Sequence, residues 1–229
     1  MEIHEEFYRN GIVEVDFSSK KVNGILGSIL RQKIKEGFTL ESKYGGTLDL
    51  RPSVLDYDDS FIEVLKQNNI PKIIENATLR DYALYHIQVR VTNLHNYSYM
   101  DWHRDLHYHD FKEEPQSGVE PPAVKLIYYP HFENNPSEML KFLVGSNKTM
   151  LHSKQQDYQL INYLKTKTVS SSDSRAILFD TSSMHAVVPD SPGVPSIRLI
   201  YSFLHKNQIE QQRKEGKNKN RNYAQVRGH

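Results

Sequence analysis

A double-sheet β jelly roll flanked by helices is the fold class this sequence predicts. Three observations lead to it. Tyr85, Ile87, Val89 and Val91 alternate with His86, Gln88, Arg90 and Thr92, a two-residue period. From there to Leu204, strand-length apolar runs recur between turns rich in Pro, Gly, Ser and Asp. Before about residue 80 the apolar residues instead follow helical spacing. At 229 residues one domain is the default. We divide it into a helical part over about 1–80, a barrel over about 81–206 and a polar tail over 207–229.

In the N-terminal part, Gly11 to Phe17 alternates enough for a short strand. Val22, Ile25, Leu26, Ile29, Leu30 and Ile34 predict an amphipathic helix over about 21–36, with Gly37 as its stop. Glu41 to Pro52 is turn-rich around Gly45-Gly46. Asp58, Asp59 and Ser60 can cap a helix carrying Phe61, Ile62, Val64 and Leu65. Pro71 opens a further helical turn through Ile74.

The strand around Val89 has a polar second face, which suits the inside of a small barrel holding a charged ligand. A turn at Leu94–Ser98 leads into Tyr99–Asp110. Phe111–Pro122 is a Glu/Pro/Gly loop, expected at the barrel mouth with the N-terminal helices; neither matches a specificity motif. Ala123–Tyr129 is a strand ended by Pro130, His131–Pro136 a loop, and Lys141–Val144 a strand. Asp157–Leu164 reads as a short helix or a strand approach. Ser170–Ser174 is a turn, Arg175–Phe179 a strand, Pro189–Pro195 a hairpin connection, and Ile197–Leu204 the returning strand. Beyond Lys206 few apolar residues remain, so the tail is expected to fray or stay disordered. It is basic, but aromatic interleaving is nearly absent, so a solvated terminus is expected rather than a nucleic-acid site.

Composition excludes several classes. The formal charge is +1, which points to no polyanionic partner. With no cysteine there are no disulfides, thiolate nucleophiles or zinc-thiolate sites, in keeping with a reducing cytosol. No apolar run approaches the roughly 18 residues of a membrane span, and the N-terminus lacks the basic and apolar regions of a signal peptide. The expectation is a cytoplasmic protein. Fourteen Tyr and one Trp suit the lining of a semi-polar cavity.

The chemistry centres on His103-Arg104-Asp105. In extended backbone, side chains two apart point the same way, so an imidazole and a carboxylate converge while Arg104 faces away. His185 is the best candidate for a third ligand. Two His and one carboxylate on one face of a metal form the facial triad of non-haem Fe(II) oxygenases. Arg198 follows on the next strand.

This ordered set resembles the Fe(II)/2-oxoglutarate-dependent oxygenases, most nearly the phytanoyl-CoA dioxygenase-like group, over roughly Tyr82 to Leu204. Leu143-Val-Gly-Ser-Asn147 is similar to the family's strand-end Gly-Ser-His turn, with Asn147 in place of His. The resemblance implies a double-stranded β-helix, a cupin-like barrel with N-terminal helices packed on it. It implies Fe(II) held by His103, Asp105 and His185, with 2-oxoglutarate and O2 as cosubstrates. Arg198 would neutralise the distal carboxylate of 2-oxoglutarate. Many relatives carry a polar residue two after this Arg, where this chain has Ile200, so Gln88 or Lys125 is expected to supply the second contact. The implied reaction is a hydroxylation coupled to conversion of 2-oxoglutarate to succinate. The implied substrate is a small molecule, free or linked to a carrier or nucleotide. Asp105 argues against the halogenating branch, which replaces the carboxylate with a small residue.

Two other readings of the same residues stay open. One is a non-catalytic cupin-like binding protein. The other is a barrel enzyme that uses a metal without 2-oxoglutarate, with His107 or His109, of the same parity as His103, as a fourth ligand. Trp102 reads as a packing residue, and Tyr128 and Tyr129 as either core or cavity wall.

Overall fold

A computed structural model describes residues 2–36, 47–49, 58–92, 100–105, 123–132, 138–149, 154–170, 172–189, 196–207 and 209. Among them the chain is mostly antiparallel sheet. The strands are β1 (Ile12–Asp16), β2 (Thr47–Asp49), β3 (Tyr82–Thr92), β4 (Ala123–Tyr128), β5 (Glu138–Leu143), β6 (Thr166–Val169), β7 (Arg175–Asp180), β8 (His185–Pro189) and β9 (Ser196–His205). Six form a large sheet in the order β1-β7-β4-β9-β3-β2, and three form a small sheet, β6-β5-β8. Helices α1 (Ile3–Asn10), α2 (Lys20–Lys35), α3 (Ser60–Gln67) and α4 (Ile70–Thr78) precede β3, and α5 (Lys154–Gln159) follows β5.

Strand alternation builds two cores on opposite faces of the large sheet. Val13, Val89, Val91, Leu126, Leu178, Leu199 and Tyr201 meet Val22, Leu26, Phe61, Ile70 and Ile74 of the helices. The opposite residues Ile12, Ile127, Ile177, Phe179 and Ile200 meet Leu140, Phe142, Val169 and Val187 of the small sheet. The second core is the interior between two stacked sheets.

Most predicted elements are present, with shifted ends. Helix α2 starts at Lys20 because Ser19 Oγ accepts a hydrogen bond from the Val22 N–H at 3.2 Å. Ile34, expected on its apolar stripe, is 49% exposed at the last turn. The Asp58 carboxylate accepts from the Ser60 N–H at 2.7 Å and starts α3. The turn at Pro71 extends to Thr78, since Ile74 and Ala77 also find the core. Strand β5 occupies Glu138–Leu143 rather than Lys141–Val144, and Asp157 lies in α5.

The segments at Gly45-Gly46, Leu94–Ser98, His107, His109 and Phe111–Pro122 lie outside the described residues. So do most of His131–Pro136 and of the Pro189–Pro195 connection, and the tail beyond residue 209. Ile209, inside the expected tail, is buried at 6% exposure. No helix of the described residues is long and apolar enough to cross a membrane.

Candidate metal centre

The site begins with a backbone pairing. The His103 N–H donates to the His185 carbonyl and the His185 N–H to the His103 carbonyl, both at 2.9 Å. Residues that exchange both hydrogen bonds in an antiparallel pair stand directly opposite and share a face. The two imidazoles therefore meet, with ring centroids 4.3 Å apart. The Val187 N–H donates to the Met100 carbonyl, so Met100–His103 runs along β8 on the side away from β5. The Asp105 N–H then turns to the Thr181 carbonyl at 3.1 Å, which brings the carboxylate back towards both rings.

One ligating atom each of His103, Asp105 and His185 lies within 4.8 Å of the others. His103 Nε2 is 3.8 Å from Asp105 Oδ1, and His185 Nε2 is 3.6 Å from Asp105 Oδ2. Each ring is fixed from behind. His103 Nδ1 lies 2.7 Å from the Asp101 carbonyl and His185 Nδ1 3.0 Å from the Ser183 carbonyl. A carbonyl only accepts, so both Nδ1 atoms carry the proton and both Nε2 lone pairs face the centre. Burial pulls the His185 pKa down to about 4 against the attraction of Asp105, so the ring is neutral at pH 7. His103 Nε2 is buried without a hydrogen-bond partner among the described residues. Two imidazoles whose Nε2 atoms face one carboxylate fit a divalent metal.

Lys125 enters from β4. Its Nζ donates to Asp105 Oδ2 at 2.8 Å. Burial opposes the charge on Asp105, but Lys125 leads the positive groups that outweigh it and hold the carboxyl well below its usual range.

Register places the remaining candidates on one face of the large sheet. Lys125 is opposite Ser202, Ile127 opposite Ile200, and Gln88 opposite Ile200 from the other side. Arg198 is opposite Arg90. Gln88, Arg90 and Arg198 are all buried. This is the face that carries Phe179 and Ile177 beneath the small sheet.

Behind the ligands, Arg104 is buried and fully engaged. Its Nε and Nη2 donate to the two Asp157 carboxylate oxygens at 2.7 and 2.8 Å. Nη1 donates to the Ser146 carbonyl at 2.7 Å and to the Ser182 carbonyl, and Nη2 also donates to the Thr149 carbonyl at 2.9 Å. Ser146 Oγ accepts from the Met184 N–H at 2.8 Å. The Gly145-Ser146 turn thus braces the residue before His185, with Gly145 at φ +81°.

No family model matches the chain, and no curated protein matches it in sequence. Solved structures do match. AviO1 from Streptomyces viridochromogenes superposes with a TM-score of 0.64 at 12% identity, over 89% of this chain and 94% of that one. The epimerase SnoN from nogalamycin biosynthesis, solved with Fe3+, alpha ketoglutarate and nogalamycin RO, gives 0.64 at 11%, over 89% and 82%. EctD from S. alaskensis, solved with bound Fe, gives 0.63 at 12%, over 88% and 75%. The chain has their fold.

Within that fold the structure brings His103, Asp105 and His185 together and joins Lys125 to them through Asp105. Gln88 and Arg198 stand on the same inner face as Lys125. Sequence reasoning singled out the turn that contains Ser146 but missed Asp157 as the partner of Arg104. The available signal was Arg104 itself, since an arginine that faces away from the ligands and is buried requires an acid.

Proposed function

We propose that this chain is an Fe(II)- and 2-oxoglutarate-dependent oxygenase that hydroxylates a small molecule, built on a double-stranded β-helix of the phytanoyl-CoA dioxygenase-like type. The observation that carries the reading is the convergence of two Nδ1-tethered imidazoles and one carboxylate beside a polar inner face that includes Arg198.

His103, Asp105 and His185 would hold the iron as a facial triad. When bound, iron with 2-oxoglutarate and O2 supplies the oxidising power: 2-oxoglutarate leaves as succinate and carbon dioxide, with one oxygen atom in succinate and the other in the hydroxylated product. The rest falls to the chain. The backbone carbonyls of Asp101 and Ser183 hold both rings in the ligating tautomer. Arg198 pairs the distal carboxylate of 2-oxoglutarate, and a guanidinium does this bidentately. Gln88 or Lys125 supplies the second contact. Phe142, Phe179, Ile127 and Ile200 form the apolar wall that limits water at the site.

Two of the fold-sharing structures support the cofactor assignment, since SnoN and EctD were solved with iron and 2-oxoglutarate. They also support a small-molecule substrate, with nogalamycin RO in one and 5-hydroxyectoine in the other. SnoN is an epimerase and SnoK a carbocyclase.

The test is a titration of protein and Fe(II) with 2-oxoglutarate without oxygen, followed by oxygen and a succinate assay. The wild type should develop a weak visible charge-transfer band and then release succinate, and His185→Ala should do neither. A folded, iron-loaded wild type with no band overturns the reading.

One observation favours a second reading. Lys125 itself supplies a counter-charge to Asp105. The cluster could therefore serve as a structural ion pair in a binding protein that has the fold without turnover. Such a protein gives no band and no succinate.

A further inference from the structure

Lys125 lies on β4, an inner strand of the large sheet, with Phe179 across on one side and Ser202 on the other. Its ammonium is 2.8 Å from Asp105 Oδ2, the oxygen that also faces His185 Nε2 at 3.6 Å. Of the two carboxylate oxygens that face the imidazoles, the one towards His185 is therefore already bonded to a cation. A divalent ion held by Asp105 would share that carboxylate with the ammonium, and two like charges on one anion repel. Lys125 is free to respond. Its side chain keeps 24% of its exposure, and a lysine stem has several rotatable bonds. Ser202, Ile200 and Arg198 then follow along β9 on the same face. Lys125 therefore shares its face of the sheet with the guanidinium that the proposed function assigns to the distal carboxylate.

We infer that Lys125 couples metal binding to cosubstrate binding: it pairs with Asp105 while no metal is bound, and turns to the anionic cosubstrate once a divalent cation claims the carboxylate. The inference rests on the oxygenase reading and gives that site an order of assembly. Metal alone binds more weakly than two imidazoles and a carboxylate would allow, because it must displace an ion pair. An arriving dianion accepts the released ammonium and recovers the loss. By linkage, whatever factor 2-oxoglutarate adds to metal affinity, metal adds to 2-oxoglutarate affinity.

The experiment uses Mn(II), which oxygen does not consume, titrated against the full chain and followed by the free-ion EPR signal with and without saturating 2-oxoglutarate. Lys125→Met keeps the aliphatic stem and removes the charge. Without 2-oxoglutarate it should bind Mn(II) roughly tenfold more tightly than wild type. The enhancement on adding 2-oxoglutarate should be roughly tenfold smaller, a change within the usual range of coupling between sites. Lys125→Gln, which keeps a donor without the charge, should behave as Lys125→Met does. Unchanged or weaker Mn(II) binding in both folded variants, while the wild type binds Mn(II), overturns the inference and leaves the oxygenase reading standing. Wild-type binding no tighter than that of His103→Ala overturns that reading and the inference with it.

Discussion

Arg104 and Asp157 form a bidentate ion pair directly behind the candidate ligands, with contacts of 2.7 and 2.8 Å and each side chain 1% exposed. The same guanidinium donates to the carbonyls of Ser146, Thr149 and Ser182. One side chain thus ties the His103–Asp105 segment to α5, to the turn after β5 and to the turn that delivers His185. Removing one partner leaves a buried charge uncompensated, so Asp157→Ala should cost about 3–5 kcal/mol. Arg104→Lys should also be costly, because one ammonium cannot reach an acid and three carbonyls at once. Urea unfolding of the metal-free proteins measures both. An Asp157→Ala loss below about 1 kcal/mol would mean that the pair braces nothing.

Two buried groups near the site titrate in opposite directions. Burial raises the Asp180 carboxyl to about 6, against the opposing hydrogen bonds from Ser182 and Asn147. The folded state therefore keeps a proton that the unfolded chain releases near 3.8, and this contribution to stability is lost as pH rises from about 4 to 6. His185 runs the other way. Its folded pKa of about 4 lies below its ordinary 6.5, so its contribution is lost as pH falls from 6.5 to 4. In the metal-free wild type the two slopes largely cancel. Asp180→Asn should uncover the His185 slope, with stability rising by about 3 kcal/mol from pH 4 to 6.5, at about 1.36 kcal/mol per pKa unit. Denaturant melts at several pH values would show it, and a flat profile in the variant would contradict it.

Gly11 sits at φ +75° between α1 and β1. Its carbonyl accepts from the Asp180 N–H at 2.9 Å and from Ser183 Oγ at 3.2 Å. A methyl group there would overlap Ser183 Oγ and come within 2.9 Å of the Asn147 side chain. Gly11→Ala should therefore destabilise by roughly 1–3 kcal/mol through backbone strain. It should also weaken metal binding, because the displaced Ser183 carries the carbonyl that orients His185. Full stability and full metal affinity together would rule out this bracing role.

The parts of the fold legible in sequence were those set by local periodicity. Val89 and Gln88 announced opposite faces of β3, and Leu26 and Ile29 announced the buried side of α2. Helix α1 gave no such signal, because its eight residues bury only Phe7. Strand β6 was equally silent, with Val169 its only buried residue. At the site, His103 and Asp105 were legible from two-residue parity. That His103 stands opposite His185 is a matter of tertiary register, which no local pattern encodes. Lys125 was read as a candidate cosubstrate contact, but its pairing with Asp105, which lies on another segment, could not be read from spacing.

Arg198 offers the test that separates an oxygenase from a generic metal barrel. It is 2% exposed and opposite Arg90 in register, so two guanidinium groups enter the same face from neighbouring strands. A dicarboxylate that chelates iron through its keto-acid end carries its second carboxylate away from the metal, where burial without a partner would cost several kcal/mol. Arg198→Ala should leave iron affinity nearly unchanged and weaken 2-oxoglutarate binding by roughly 2–4 kcal/mol, about 30- to 1,000-fold. Arg198→Lys should recover only part, since one ammonium cannot reproduce the two-pronged contact. Titrating the charge-transfer band with 2-oxoglutarate in each variant measures the loss. Saturation of Arg198→Ala at the wild-type concentration would move the anchor to another residue of this face, and Lys125 and Arg90 would be tested next.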